Sequence, residues 1–208
     1  MVIETDFKGF PFRHELVKQD GLPVTERKCP INMEFTETNL RGAFVLQIKK
    51  IEDERGYFGR AWCQEEFLRH GLNPGMVQLN VGLSHRRGTM RGMHYQLAPH
   101  AEAKFIRCTR GAIYDVIIDL RERSPSFGRW YGLELAPDNG LMVYAPEGFA
   151  HGYQTLQDDT EMYYLTSSPF APAAARGVRY DDPAFEITWP LPVSFISAAD
   201  RGWPDFRS

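Results

Sequence analysis

Short apolar or alternating segments, separated by turn signals, occupy most of the chain between residues 42 and 168. Segments of this length with turn residues at this spacing are typical of many short strands, and they predict an all-β sandwich or barrel. The segments are GAFVLQIKKI, MVQLNVGLS, AKFIRCTR, AIYDVIIDL, RWYGLEL, LMVYAP, GYQTL and EMYYLTSS.

One segment has helical periodicity instead. In CQEEFLRHGL, Phe67 and Leu68 lie three to five residues from Cys63 and Leu72, and Gly71 is a typical C-terminal stop. This segment is the best candidate for a helix, and we expect a few short helices among the strands.

The segment AIYDVIIDL alternates over its full length. A strand would place Ile113, Asp115, Ile117 and Asp119 on one face, since successive side chains point to opposite sides of a sheet. The two acidic side chains indicate either an open, ligand-facing side or two solvated positions, and this segment does not separate the alternatives.

The bulk properties limit the class of protein. A chain of 208 residues fits one domain, and a formal charge of −3 argues against a general nucleic-acid or membrane-surface role. Three widely spaced cysteines without a CxxC motif are expected to be reduced thiols. With neither an apolar signal region near the start nor an apolar run of ~18 residues, we expect a soluble, cytoplasmic protein. Residues 1–34 look irregular and are interpreted as an N-terminal extension to a single domain at 35–208; this extension, or the tail after Arg176, could wrap the sheet or a partner subunit.

Histidines in a strand-rich chain raise the question of a metal site. The second half of the cupin metal pattern, G-x5-P-x-G-x2-H, is met from Gly140 to His151. Its first half requires a second histidine two positions after His94 and then a nearby glutamate, whereas Glu102 comes much later. Two histidines without a close carboxylate are a poor ligand set. The sequence therefore favours the cupin fold without a metal, and we expect no cofactor.

Acid–base chemistry is the remaining prediction. The chain has no GxSxG motif and no glycine-rich phosphate loop. The segment around MRGMHYQ supplies His94, a natural base near neutral pH, together with Arg91 and Lys104. Lys104 and Arg107 should point to opposite faces of a strand, with Arg107 more simply interpreted as a surface charge. Tyr163 and Tyr164 should also point to opposite faces; one could donate a proton, and ordinary aromatic packing is the alternative for both.

Several longer segments occur in an order that resembles a known family. The chain is similar to the dTDP-4-dehydrorhamnose 3,5-epimerases from about Phe35 to Asp200. The resemblance rests on DERGYFGRAW, VQLNVG, MRGMHYQ, AKFIRCTRGAIYDVIIDLRERSPSFGRWYGLEL, YAPEGFAHGYQTL, EMYYLTSSPFAP, DDPAFEITWP and ISAAD.

This resemblance implies a cupin-type jelly roll that needs neither metal nor cofactor and is usually a homodimer. It implies inversion of carbons flanking the 4-keto group of a nucleotide-linked 6-deoxyhexose. By position, His94 would be the base, Asp200 its carboxylate partner and Tyr164 the acid on the opposite face, while Lys104 would stabilise the enolate oxygen. The substrate-binding surround would comprise Arg55, Phe58, Arg60, Gln78, Asn80, Arg91 and His151.

Three positions differ from the family pattern. Arg60 stands where a glutamate is usual in the segment that contacts the nucleotide, Phe170 replaces a second tyrosine, and Ala103 replaces the glycine before the lysine. Two alternatives therefore stay open: epimerisation at C3 alone with a different nucleotide, or a non-catalytic cupin that binds a sugar nucleotide.

Overall fold

Two six-stranded sheets face each other in the computed structural model, which describes residues 32–206. The strands of the first half are β1 (Met33–Glu37), β2 (Phe44–Ile48), β3 (Ile51–Asp53), β4 (Gly56–Phe58), β5 (Gln78–Ser84), β6 (Thr89–Gln96) and β7 (Lys104–Arg110). Those of the second half are β8 (Ile113–Asp119), β9 (Trp130–Leu135), β10 (Leu141–Ala145), β11 (Phe149–Thr155), β12 (Thr160–Thr166), β13 (Ala175–Gly177) and β14 (Phe195–Ile196). The helices are α1 (Gln64–Arg69) and α2 (Ala198–Arg201).

The order of strands is that of a jelly roll. The first sheet runs β1-β2-β10-β7-β12-β5, and the second runs β13-β6-β11-β8-β9 with β14 parallel to β6. All other pairs are antiparallel, and β3 with β4 forms a separate hairpin. Non-consecutive neighbours such as β10 and β2 show that the chain crosses repeatedly between the sheets, as expected of this architecture.

The main core lies between the sheets because each strand alternates its side chains. Ile106 of the first sheet and Ile113, Ile117 and Phe149 of the second belong to one buried cluster. Alternate residues point outward, where separate segments cover them. Around α1, Phe67 covers the outer face of the first sheet, whereas the C-terminal segment packs on Val116 and Ile118 of the second sheet. The tail after β13 therefore wraps the sheet.

The structure confirms the principal expectations about secondary structure. Each of the eight segments contains a strand, and α1 lies within the segment expected to be helical. The proposed extension, residues 1–34, falls almost entirely outside the described residues, and β1 begins at Met33. Among residues 32–206, no helix has the length and apolar character needed to cross a membrane.

The alternation in β8 is confirmed, but the interpretation of its two aspartates is corrected. Asp115 and Asp119 are both fully buried, so neither is solvated. Asp119 accepts hydrogen bonds from Arg121, Ser124 and Ser126, which tie down the turn after β8. Asp119 is thus a structural anchor and does not face a ligand, since hydrogen bonds engage both of its oxygens and offset the cost of burying the carboxylate.

Candidate active site

A cavity of about 840 Å³ opens between the sheets. Its walls come from β5, β7 and β12 on one side and from β6 and β11 on the other, and the C-terminal tail lines its rim. A cavity of this size can hold a ligand larger than a monosaccharide. The predicted site residues that line it are Asn80, Arg91, His94, Lys104, His151, Tyr164 and Asp200.

An imidazole–carboxylate pair lies in the wall formed by β6. His94 Nε2 lies 2.6 Å from Asp200 Oδ1, and the aspartate is buried while the imidazole is 45% exposed. Burial by itself raises the pKa of Asp200, but the His94 interaction and the Gly92 N–H bring that pKa below its ordinary value. The carboxylate is therefore ionised beside the imidazole.

Local structure explains how two residues so distant in sequence meet. The short strand β14 pairs with β6, and α2 follows at once. Ser197 caps α2 by accepting a hydrogen bond from the Asp200 N–H, which fixes the aspartate near His94. In β6, a Cβ added to Gly92 would lie 2.4 Å from the Gly152 Cα, so only glycine permits β11 to approach so closely.

Lys104 begins β7 and reaches from the first sheet towards the second. Its ammonium donates a hydrogen bond of 2.9 Å to the His94 carbonyl and lies 3.2 Å from Glu102 Oε1. Desolvation lowers the pKa of Lys104, and the adjacent Glu102 carboxylate opposes that effect. The buried Lys104 side chain is thus anchored at two points in the cavity wall. As expected, Arg107 lies on the other face, where its guanidinium meets the Tyr163 hydroxyl at 3.4 Å.

Tyr164 faces His94 from the other sheet. It belongs to β12, pairs with Asn80 of β5 and lines the cavity, while its neighbour Tyr163 points away, as the alternation predicted. Burial raises the pKa of Tyr164, and the negative charge of Glu102 raises it further, with Arg91 acting in the opposite direction. The phenol is therefore kept in its protonated form.

A second imidazole–carboxylate pair is deeper in the fold. His151 Nε2 lies 2.7 Å from Asp115 Oδ1, and both side chains are almost fully buried. His151 and His94 are register partners on β11 and β6. Each histidine thus uses its Nε2 for a carboxylate, and the described residues contain no group of three His, Cys, Asp or Glu side chains placed to hold a metal.

The structure does not bring all of the predicted substrate-binding residues into this cavity. Arg55 and Phe58 belong to the exposed β3–β4 hairpin and do not line it. Arg60 forms an ion pair of 2.9 Å with the buried carboxylate of Glu66 in α1. Gln78 is adjacent to the site: its amide donates to the Asn80 side chain.

Sequence reasoning missed several residues of the site. The sequence indicates Glu102 only as a possible metal ligand, yet it lines the cavity and contacts Lys104. Alternation alone does not identify the role of Asp115, because its pairing with His151 depends on the register of β8 against β11. Trp203 of the irregular tail and Arg176 of the short strand β13 also line the cavity, and neither carries a sequence signal of its own.

Together, the fold and site define a class: a cupin-type jelly-roll protein whose cavity contains an imidazole–carboxylate pair, a phenol and a buried ammonium. A family model described as dTDP-4-dehydrorhamnose 3,5-epimerase matches residues 37–208. The chain belongs to this family and is an epimerase, hence an isomerase.

Known relatives cover most of the chain. A dTDP-4-dehydrorhamnose 3,5-epimerase of Sinorhizobium fredii is 39% identical over 173 residues, which are 83% of this chain and 89% of the relative. The crystal structure of the Bacillus anthracis 3,5-epimerase with TDP and PPi bound is similar, with a TM-score of 0.81, 36% identity, and coverage of 84% and 100%. A 3'-monoepimerase of Streptomyces bikiniensis in complex with dTDP-quinovose has a TM-score of 0.74 and 34% identity, with coverage of 81% and 85%.

Proposed function

We propose that the protein inverts C3, C5 or both beside the 4-keto group of a nucleoside diphosphate 4-keto-6-deoxyhexose, with dTDP as the nucleotide. The observation that carries this proposal is the placement of His94 and Tyr164 on opposite walls of one cavity. Inversion requires that a proton leave one face of the sugar and another arrive on the opposite face. A base and an acid on facing sheets meet that requirement.

His94 is proposed as the base. Because its Nε2 is engaged by Asp200, Nδ1 is the nitrogen left to accept the C–H proton. The C–H bond breaks, its electron pair moves towards the neighbouring carbonyl and the imidazole becomes positively charged. The ionised Asp200 carboxylate stabilises that charge and holds the ring in one tautomer, in the role that an aspartate has in hydrolase triads.

Lys104 is proposed to stabilise the enolate oxygen. The proton beside a ketone becomes removable when the charge developing on the carbonyl oxygen meets a preorganised donor in a site that excludes water. The Lys104 ammonium is buried, lines the cavity and is already oriented by the His94 carbonyl. It therefore needs little rearrangement as the charge develops.

Tyr164 is proposed as the acid. As the enolate collapses, the phenol gives its proton to the carbon from the face opposite His94, and the configuration inverts. The raised pKa of Tyr164 ensures that the proton is present before the reaction. Proton exchange with solvent then restores the starting state of both residues.

The substrate assignment rests on the cavity and on the relatives. A cavity of about 840 Å³ rimmed by Arg91 and Arg176 suits a long anionic ligand, since guanidinium groups bind phosphates through paired hydrogen bonds. Two relatives were crystallised with TDP and PPi or with dTDP-quinovose. Asn80 and His151 are proposed to contact the substrate, and Gln78 to orient Asn80. Phe170 lies exposed at the cavity mouth without a hydroxyl group, so inversion at C3 alone is the second candidate.

A homodimer is part of the proposal. The edge strand β5 exposes Leu79, Val81 and Leu83 on one face, and exposed apolar residues on a sheet edge favour pairing with another chain. The hairpin that carries Arg55 and Phe58 is also exposed, and these two residues do not line the cavity of the same chain. In a dimer Arg55 and Phe58 would be available to the partner's substrate, and Arg60, held at the base of the hairpin by its ion pair with Glu66, would lie beside them. Sedimentation of the wild-type chain tests the dimer, and a monomer at micromolar concentration would contradict it.

We also propose a cytoplasmic enzyme without metal or cofactor. The thiols of Cys63 and Cys108 are free, which suits a reducing compartment. The proposed chemistry uses only side chains of this chain: the electrons that leave the C–H bond return to the same carbon, so no redox partner is required.

Product analysis by NMR tests the proposed reaction. The protein is incubated in heavy water with dTDP-, UDP-, CDP- and GDP-linked 4-keto-6-deoxyglucose, and both deuterium position and ring configuration are followed. We expect dTDP to be preferred, with deuterium at each inverted carbon. Label at C3 alone would support the second candidate. A protein that binds the nucleotide sugars but exchanges no proton would instead be a non-catalytic binder, and the proposal would fail.

A further inference from the structure

Glu102 is a buried carboxylate to which the proposed reaction assigns no role. Its side chain is 9% exposed and lines the cavity beside Lys104. Oε1 lies 3.2 Å from the Lys104 ammonium, and Oε2 accepts a hydrogen bond of 3.1 Å from the Gln96 amide. The carboxylate is thus held on one side by a neutral amide and on the other by a charged lysine.

The Gln96 amide fixes the position of this carboxylate. Gln96 Nε2 also lies within hydrogen-bonding distance of the His100 and Pro169 carbonyls, so its two N–H groups are shared among three acceptors, and its oxygen accepts from the Ala171 N–H. Gln96 is itself buried in β6, two residues after His94. Four interactions at one amide leave it little freedom, so Glu102 is presented to Lys104 in a defined orientation.

We propose that Glu102 is a positioning residue that keeps the Lys104 ammonium charged and directed at the carbonyl oxygen of the substrate. This inference rests on the proposed function, because it gives Glu102 its effect through the group that stabilises the enolate. Lys104 has two anchors: the His94 carbonyl sets its direction, and the Glu102 carboxylate supplies the counter-charge.

Electrostatics at the site support this division of roles. Desolvation is the largest influence on Lys104 and lowers its pKa, while Glu102 opposes it both by charge and by hydrogen bonding. Asp115 acts in the same direction but more weakly, and it is already paired with His151. The other titratable or charged groups that line the cavity around Lys104 are His85, Arg86, Arg91, His94, Tyr95, His151, Tyr153, Tyr164, Arg176 and Asp200. Within the described residues, only Glu102 forms an ion pair with the Lys104 ammonium.

The same carboxylate acts on the proposed acid. The negative charge of Glu102 adds to burial in raising the pKa of Tyr164. Loss of that charge would make both Lys104 and Tyr164 lose their protons at lower pH. Both effects would shift the alkaline limb of the pH–activity profile to lower pH, so the profile alone does not distinguish Lys104 from Tyr164. The titration of Lys104 therefore has to be observed directly as well.

Glu102→Gln is the test variant, because the amide keeps the shape and an acceptor oxygen while removing the charge. Log kcat for solvent exchange should begin to fall at lower pH than in the wild type, and on the alkaline limb the rate should be about tenfold below the wild-type rate, since an opposite charge typically shifts a neighbouring pKa by a unit or more. The exposed Glu122→Gln should leave the profile unchanged. Glu102→Asp, which retains the charge, should recover the alkaline activity at least in part. An unchanged profile in Glu102→Gln would overturn the inference.

Lysine NMR provides a readout that needs no substrate. The chain has six lysines, so the side-chain signals of labelled lysine can be resolved and Lys104 assigned with a Lys104→Arg variant. The Lys104 signal should titrate at lower pH in folded Glu102→Gln than in the wild type. Equal titration would overturn the inference even if the enzyme is active. Conversely, a shifted titration in a protein without exchange activity would refute the proposed function and leave the pairing of Glu102 with Lys104 supported.

Discussion

Replacing Asp200 by asparagine changes the charge beside the proposed base with little change in shape. The Oδ1–Nε2 distance of 2.6 Å and the burial of the aspartate make this a strong charge-assisted contact in the structure. A hydrogen bond to a charged group typically contributes about 1.5–3 kcal/mol to stability. Because the His94 ring is 45% exposed and partly screened by solvent, we assign about 2 kcal/mol of transition-state stabilisation to this contact. Its loss corresponds to a rate about 30-fold lower.

The assay is the initial rate of deuterium entry beside the ketone, followed by NMR, with nucleotide affinity measured by calorimetry. In Asp200→Asn the rate should fall by about 30-fold, since the imidazolium formed on proton abstraction loses its counter-charge. Nucleotide affinity should stay within about threefold, a change of less than 1 kcal/mol. The matched control is Asp159→Asn, which removes the carboxylate charge beside His85 in an exposed histidine–aspartate pair. A full exchange rate in Asp200→Asn would refute the role given to this carboxylate.

Three further outcomes are expected. Tyr164→Phe should reduce net inversion by about 100-fold, the scale of general acid catalysis, and exchange by much less, because His94 can still remove and return a proton on one face; equal losses in the two NMR readouts would contradict this. Burial raises the pKa of Asp119, but hydrogen bonds from Arg121 and two serines lower that pKa by more. The ionised carboxylate therefore stabilises the fold above the ordinary aspartate pKa, and this stabilisation is lost as pH falls through the lower pKa of the folded state. Asp119→Asn should therefore lower the free energy of unfolding by about 3 kcal/mol at neutral pH and by less in acid, as measured by urea titration. Extensive chelation should leave the exchange rate unchanged, and activity that returns only on adding a metal would refute the metal-free proposal.

The strands that sequence patterns identified are those whose burial alternates or is continuous. In β8, Ile113 and Ile117 point between the sheets and Val116 and Ile118 point outward, so the apolar run follows directly from packing on both faces. The strand β6 gave no such signal, although it carries His94. Its side chains at Arg91 and His94 face a cavity, so the usual apolar alternation is missing.

Pairings between distant side chains were the least predictable part of the site. His94 and Asp200 were linked by resemblance alone, since 106 positions separate them and only the β14–β6 pairing brings them together. The ion pair of Arg60 with Glu66 shows the same limit: the sequence shows a charge reversal in the motif, and only the structure shows that the guanidinium pairs with a carboxylate of α1. A sequence pattern gives the residue type, and only the fold gives its neighbour.

Proton abstraction by His94 is tested most directly by comparing the wild type with His94→Ala in heavy water. Each protein is incubated with dTDP-4-keto-6-deoxyglucose, and deuterium beside the 4-keto group is measured by NMR, with dTDP binding as the control for an intact cavity. We expect deuterium at C3, C5 or both with the wild type and a loss of at least about 100-fold in His94→Ala, with binding retained. No deuterium with the wild type, or full exchange in His94→Ala, would contradict proton abstraction by His94.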